Sequence, residues 1–216
     1  MKQGLTEIIF ILDRSGSMSG LEGDTIGGYN SFLDSQRNTP GEAKVTTILF
    51  DDKYEILHNS VDIRDILPIT DKEYFARGNT ALLDAVGKTI NDVGARLSDT
   101  DESERPEKII FVITTDGQEN SSKRFTYPKI HRMITHQREK YNWEFLFLGA
   151  NIDAASEAKQ LGISQNRSAQ YVSSAIGTAS LFSTVADSIS FFRHTGKVQD
   201  DWDKDLGSDS EKKKPN

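Results

Sequence analysis

Residues 8–17 read IIFILDRSGS. Five apolar residues run directly into Asp13, and Ser15 and Ser17 follow on either side of Gly16. An unbroken apolar run marks a strand buried on both faces, as in a parallel sheet covered by helices. Ending such a strand on a carboxylate and two hydroxyls puts three oxygens where open α/β sheets bind ligands, outside the carboxyl ends of their strands.

Similar runs recur along the chain: VTTILF (45–50), YEILHNSV (54–61), KIIFVITT (108–115), WEFLFLGA (143–150) and a short SAQYVS (168–173). Segments with helical spacing lie between them. Residues 22–37 place Ile26, Tyr29 and Leu33 on one face, against the helix-weakening pair Gly27 and Gly28. Residues 81–97 set Leu82, Val86, Ile90, Val93 and Leu97 on one stripe. Shorter helices are expected at 127–140 and 153–161, and an amphipathic one at 174–193 that ends in FFR. Alternating strand and helix predicts an α/β fold with a mainly parallel sheet. One link breaks the alternation. Asp51, Asp52 and Lys53 are too few residues for a crossover, so the strand after them is expected antiparallel, at an edge.

The chain has 216 residues, enough for one such domain. Its net charge of −7 disfavours a nucleic-acid partner, which needs clustered Lys and Arg, and an anionic membrane surface. It has no cysteine, which removes disulfides, thiolate nucleophiles and thiolate metal sites. The N-terminus lacks the pattern of a signal peptide, and no run of roughly 20 apolar residues stands out as a membrane span. These features predict a cytoplasmic protein. The domain is expected over 1–195, followed by a polar, charged and flexible tail over 196–216, with Val198, Trp202 and Leu206 as its only anchors. The acidic stretch 98–107 reads as a loop.

Three loops carry the chemistry. Asp13, Ser15 and Ser17 follow the first strand, Asp116 follows the strand at 108–115, and Thr80 opens the helix at 81. All five present oxygen, and none offers nitrogen or sulfur. Hard cations such as Mg²⁺ take such ligands in octahedral geometry at about 2.0–2.1 Å and keep some waters. The two aspartates balance a divalent charge, and an incoming carboxylate can complete the shell. So small a ligand set favours Mg²⁺ or Mn²⁺ over Ca²⁺, whose sites gather more oxygens.

D13-R-S15-G-S17, then Thr80 in RGNTAL, then Asp116 in ITTDG, in this order and on this strand–helix pattern, resemble the von Willebrand factor A family and its metal-ion-dependent adhesion site. The match covers residues 5–193, and the features resemble the family's bacterial intracellular branch, including its tellurium-resistance-associated members. The resemblance implies a doubly wound three-layer sandwich on a six-stranded sheet with one antiparallel edge strand. It implies that Ser15, Ser17 and Thr80 meet the cation through hydroxyls, and that Asp13 and Asp116 do so directly or through water. It also implies a protein partner presenting Asp or Glu, with an AAA-type ATPase or a stress-response complex as the setting, and no enzymatic activity.

Plainer roles compete with these. Ser and Thr beside helix starts are often caps. Ser19 and Glu22 fit a capping box and are assigned to it. Thr80 could cap the helix at 81, and Asp116-Gly117 could be a turn; the joint pattern decides for the metal. Glu119, Asp24, Asp51 and Asp52 read as solvated. His58, His131, His136 and His194 lack the spacing of a zinc helix. Trp143, Phe145, Phe147, Phe191 and Phe192 read as packing residues. The alternative function is a metal-dependent hydrolase acting in phosphoryl transfer. A serine nucleophile would need an oriented base, and the chain has neither the G-x-S-x-G elbow nor a histidine in the three loops. A nucleotide-binding Rossmann reading fails for want of G-x-G-x-x-G or a P-loop.

Overall fold

The structure, a computed structural model, describes residues 1–206. Six strands form one sheet: β1 (Lys2–Asp13), β2 (Glu42–Phe50), β3 (Tyr54–Asp62), β4 (Pro106–Thr115), β5 (Glu144–Gly149) and β6 (Ser168–Gln170). Their order is β3-β2-β1-β4-β5-β6. All neighbours run parallel except β2 and β3, so the antiparallel strand is the edge strand. The chain leaves β1 toward β2 and leaves β4 toward β5, in opposite directions across the sheet. The loops after β1 and β4 therefore part, and a crevice opens between them at the switch of strand order.

Five α-helices cover the sheet: α1 (Glu22–Asn38), α2 (Leu82–Asp99), α3 (Tyr127–Tyr141), α4 (Ala154–Leu161) and α5 (Ala175–Thr195). The side-chain period of two splits β1 between two cores. Ile8, Phe10 and Leu12 pack with Tyr29, Phe32, Phe182 and Val185 under α1 and α5. Ile9 and Ile11 pack with Val86, Ile90, Phe111 and Phe145 under α2, α3 and α4. Trp143, Phe145 and Phe147 are core residues, and Phe111 stacks on Phe145 at 4.8 Å between ring centroids. The pair Gly27-Gly28 does not break α1. A Cβ on Gly28 would stand 2.3 Å from Phe182 Cδ2, so its absence lets α5 close onto α1.

Some local expectations change. β6 has three residues rather than six, and α1 starts at Glu22 without Ser19 as its cap. Ser19 instead closes a 3₁₀ turn at Gly16–Met18 by donating its N–H to Gly16 O, and the expected box does not form; Glu22 accepts the Gly20 N–H at 2.7 Å. α5 spans 21 residues with a window of mean hydropathy 1.2, long and apolar enough to cross a membrane by those measures. Here Leu181, Val185, Ile189 and Phe192 bury its face in the core. Beyond α5 the stretch expected as a flexible tail is packed as far as Leu206. Val198 and Trp202 are buried, and the indole N–H of Trp202 donates to Asn166 O at 3.0 Å. Residues 207–216, with the closing EKKKP, lie outside the described residues.

Candidate metal site

The three loops meet at the carboxyl edge of β1 and β4. Asp13 ends β1 and turns the chain by accepting the Ser15 N–H on Oδ1 at 2.7 Å, an Asx turn. The next loop is tied to it: Gly16 N donates to Gly78 O at 3.0 Å and Arg77 N to Arg14 O at 2.8 Å. Gly78 has φ +68°, and a Cβ there would lie 2.1 Å from Asp52 Oδ1, so this turn demands glycine. The loop after β4 closes the ring. A Cβ on Gly117 would stand 3.2 Å from both Ser17 Oγ and Thr80 Oγ1. All five expected residues are thus brought to one place.

The oxygens face one another. Ser15 Oγ lies 3.0 Å from Ser17 Oγ, and Ser17 Oγ donates to Asp116 Oδ1 at 2.5 Å. The Ser15–Ser17 separation is close to the ligand–ligand edge of a Mg²⁺ octahedron, about 2.9 Å for metal–oxygen bonds of about 2.05 Å. Asp13 and Asp116 are 1% and 2% exposed, and Asp116 Oδ2 is buried without a partner. Burial pushes the Asp13 carboxyl up to about 6, against the hydrogen bonds from Thr115 and Ser15, and burial also raises Asp116. Neither makes an ion pair with a cationic side chain among the described residues. Two buried carboxylates, one orphaned oxygen and three hydroxyls fit a small divalent cation. Among the described residues no group of three or more His, Cys, Asp or Glu is placed to hold a metal ion, so the two aspartates here would need the neighbouring hydroxyls to complete a shell.

Thr80 is not a helix cap. Position Ala81 caps α2 without a side-chain bond, and the free N–H groups of the first turn go elsewhere: Leu83 N to Glu119 Oε2 at 2.9 Å and Asp84 N to Ser122 Oγ at 3.0 Å. Asn120 holds the Thr80 backbone from both sides, its Oδ1 accepting Thr80 N at 3.0 Å and its N donating to Thr80 O at 3.0 Å. The Thr80 hydroxyl is left to face the site. Glu119, expected in solvent, is the keystone of this loop. It accepts the N–H groups of Ser121 and Ser122 as well as that of Leu83.

No family model matches the sequence, and no curated protein is found similar to it; the likeness to known proteins is structural. Proximal thread matrix protein 1 from the mussel byssus, in a structure with a zinc-occupied metal-ion-dependent adhesion site motif, superposes with a TM-score of 0.59 at 18% identity, over 87% of this chain and 46% of that one. The chain therefore spans less than half of the mussel protein. The von Willebrand factor domain of the type V pilus tip protein Mfa5 from Porphyromonas gingivalis gives 0.60 at 11% identity, over 90% of this chain and 98% of that one. A von Willebrand factor type A protein from Catenulispora acidiphila gives 0.58 at 14% identity, over 85% and 42%. This is the von Willebrand factor A fold.

In this fold several residues that support the site escape the sequence reading. Thr115 donates its hydroxyl to Asp13 Oδ2 at 2.6 Å, and Tyr74 donates to Asp13 O at 2.6 Å. Tyr171, buried after β6, has its hydroxyl acidity suppressed by burial and then by the charges of Asp116 and Asp13. Arg14 points away from the ring into a second cluster. Its Nε donates to Asp51 at 3.1 Å and its Nη2 to Glu55 at 2.7 Å, while Arg77 Nε donates to Asp51 at 2.6 Å. The Phe75 ring lies within 5.8 Å of both guanidinium carbons. Asp51, expected in solvent, is fully buried. The one available signal is local: Arg14 stands between two ligand positions of a tight loop and must face the other way. Asp24 stays in the first turn of α1, and His58 bonds Thr47 at 3.0 Å, away from the site.

Proposed function

We propose that this domain is a metal-dependent protein-interaction module. Asp13, Ser15, Ser17, Thr80 and Asp116 would hold a divalent cation, Mg²⁺ or Mn²⁺ before Ca²⁺. The bound ion would supply an electrophilic position for a carboxylate of a protein partner. The carrying observation is the pair of buried carboxylates with no cation of their own, one of them with an unpartnered oxygen, beside three hydroxyls. The zinc-occupied motif of the mussel neighbour supports the reading. Ser15 and Ser17 orient the first loop, Thr115 fixes one oxygen of Asp13, and Asn120 fixes Thr80. A desolvated carboxylate at such a site makes one acidic side chain of the partner a hot spot. The resemblance to bacterial intracellular members extends the proposal to a cytoplasmic setting, with an AAA-type ATPase or a stress-response complex as partner, and to a binding rather than catalytic role.

Calorimetric titration with Mg²⁺, Mn²⁺ and Ca²⁺ tests the site, with wild type and Asp13→Ala compared and the fold followed by circular dichroism. Saturable binding by wild type and none by a folded Asp13→Ala is the expected result. Equal binding by both removes the assignment. Metal-dependent release of phosphate from an aryl phosphate, lost in Asp13→Ala, would favour the hydrolase instead.

A further inference from the structure

Beside the metal loops lies an open groove of about 920 Å³, between the first turns of α2 and the segment 120–129. It adjoins the site through the neighbours of Thr80. Asn79 and Ala81 flank Thr80 on its wall, and Asn120 and Ser121, which line it too, donate their N–H groups to Thr80 O. Five of its lining residues are cationic, Lys53, Lys88, Lys123, Arg124 and Lys129, against three acidic ones, in a chain of net charge −7. Two of those three carboxylates are already engaged. Asp84 accepts the backbone N–H groups of Lys123, Arg124 and Phe125, and Asp92 accepts from Lys88 and Tyr54. Lys53, Lys123 and Arg124 are exposed and make no ion pair among the described residues.

We infer that this groove receives an acidic segment of the protein partner. One carboxylate of that segment goes to the metal, and neighbouring Asp or Glu residues lie over Lys53, Lys123 and Arg124. The inference rests on the metal-site reading and adds to it the chemistry of the partner around its coordinating residue. Unpaired cations next to a carboxylate position complement a run of acids, steer its approach and reject a basic partner. A nucleic acid would meet the same cations, yet it carries one charge per about 1.7 Å of duplex. The chain's net charge and the exposed Asp52 on the groove wall oppose that density, so intermittent acidic side chains are the better match.

The probes are two labelled Gly/Ser peptides, one with a single central Glu and one with that Glu flanked by Asp and Glu, read by fluorescence anisotropy. The proteins are wild type and Lys53→Ser/Lys123→Ser/Arg124→Ser, whose changes lie on the surface, each with Mg²⁺ and with chelator. In Mg²⁺ the flanked peptide binds wild type about tenfold tighter than the single-Glu peptide, and the gap closes as salt rises from about 0.1 M to about 1 M. The triple variant loses the gap and keeps its calorimetric Mg²⁺ affinity. Equal binding of the two peptides by a wild type that does take up Mg²⁺ overturns the groove and spares the metal site. Failure of wild type to take up Mg²⁺ overturns both. A gap that survives in the triple variant, or tighter binding of a single-stranded oligonucleotide than of the flanked peptide, also overturns the inference.

Discussion

Asp13 and Arg14 are adjacent in the chain and serve two clusters that differ in charge balance. Behind the loop, Arg14 and Arg77 face Asp51 and Glu55, so cations and carboxylates match in number and share hydrogen bonds. In front, Asp13 and Asp116 face hydroxyls and the Ser15 backbone N–H but no cationic side chain, and one carboxylate oxygen has no partner. Burial raises both front carboxyls, the mark of charge without compensation. The rear cluster balances its charges within the chain, although Arg14 Nη1 is buried without a hydrogen-bond partner, and it can serve as a footing. The front one can be neutralised only from outside, by protons or by a cation.

The sharpest break of this contrast removes one member from each side. Asp13→Ala eliminates Mg²⁺ uptake and leaves the fold intact, as calorimetry and circular dichroism would show. Arg14→Ala does the reverse. It leaves Asp51 with Arg77 alone and Glu55 with a weaker contact at 3.7 Å, and it costs about 3 kcal/mol in urea unfolding, the lower range for breaking a buried pair. The fraction that remains folded still binds Mg²⁺. If Arg14→Ala unfolded no more readily than wild type, the rear cluster would be no footing.

Metal and protons compete for the open cluster, which gives the next effect. Mg²⁺ at a hundredfold excess over its Kd stabilises the protein by about 2.7 kcal/mol. In the metal-free protein Asp13 stands at about 6, above its ordinary unfolded value of about 3.9. A raised carboxyl contributes its stability in full below the unfolded value, and the contribution is lost as pH rises through the folded one. Across the window from about 4 to 6 the metal-free protein therefore loses stability with rising pH, and Mg²⁺ restores it only once the proton has gone. The rise in Tm on adding Mg²⁺ is larger near pH 7.5 than near pH 5. Equal rises at both would mean that Asp13 carries no proton that the metal must displace.

The two clusters were not equally readable from sequence. The front ring could be found because its residues sit at strand ends and fixed spacings, and the apolar runs place those ends. The strand runs, the antiparallel edge at Asp51–Lys53 and the stripe from Leu82 to Leu97 follow from the same local periodicity, whereas the order of the strands in the sheet does not. The rear cluster joins Arg14 to residues 37 and 41 positions away, and no local pattern announces such pairs. Asp51 in a short acidic turn looks solvated until the neighbouring loop covers it. Glu119 looked solvated for a related reason, since its partner N–H groups belong partly to a helix 36 residues earlier. Ser19 misled because a 3₁₀ turn delayed the helix to Glu22.

The smallest effect separates Glu119 from Thr80, neighbours in space at the start of α2. Glu119 caps the helix, so Glu119→Ala leaves Leu83 N and the N–H groups of Ser121 and Ser122 without their acceptor. It costs about 1 kcal/mol in unfolding, the ordinary size of a lost cap. Thr80 holds its backbone through Asn120 and donates no cap, so Thr80→Val keeps the shape and the stability while it removes one oxygen from the ring. Mg²⁺ affinity falls in Thr80→Val and returns in Thr80→Ser. Were Thr80→Val to lose stability by a cap's worth and retain full Mg²⁺ affinity, the two roles would be exchanged, Thr80 would be the helix cap after all, and the open ring would have four members instead of five.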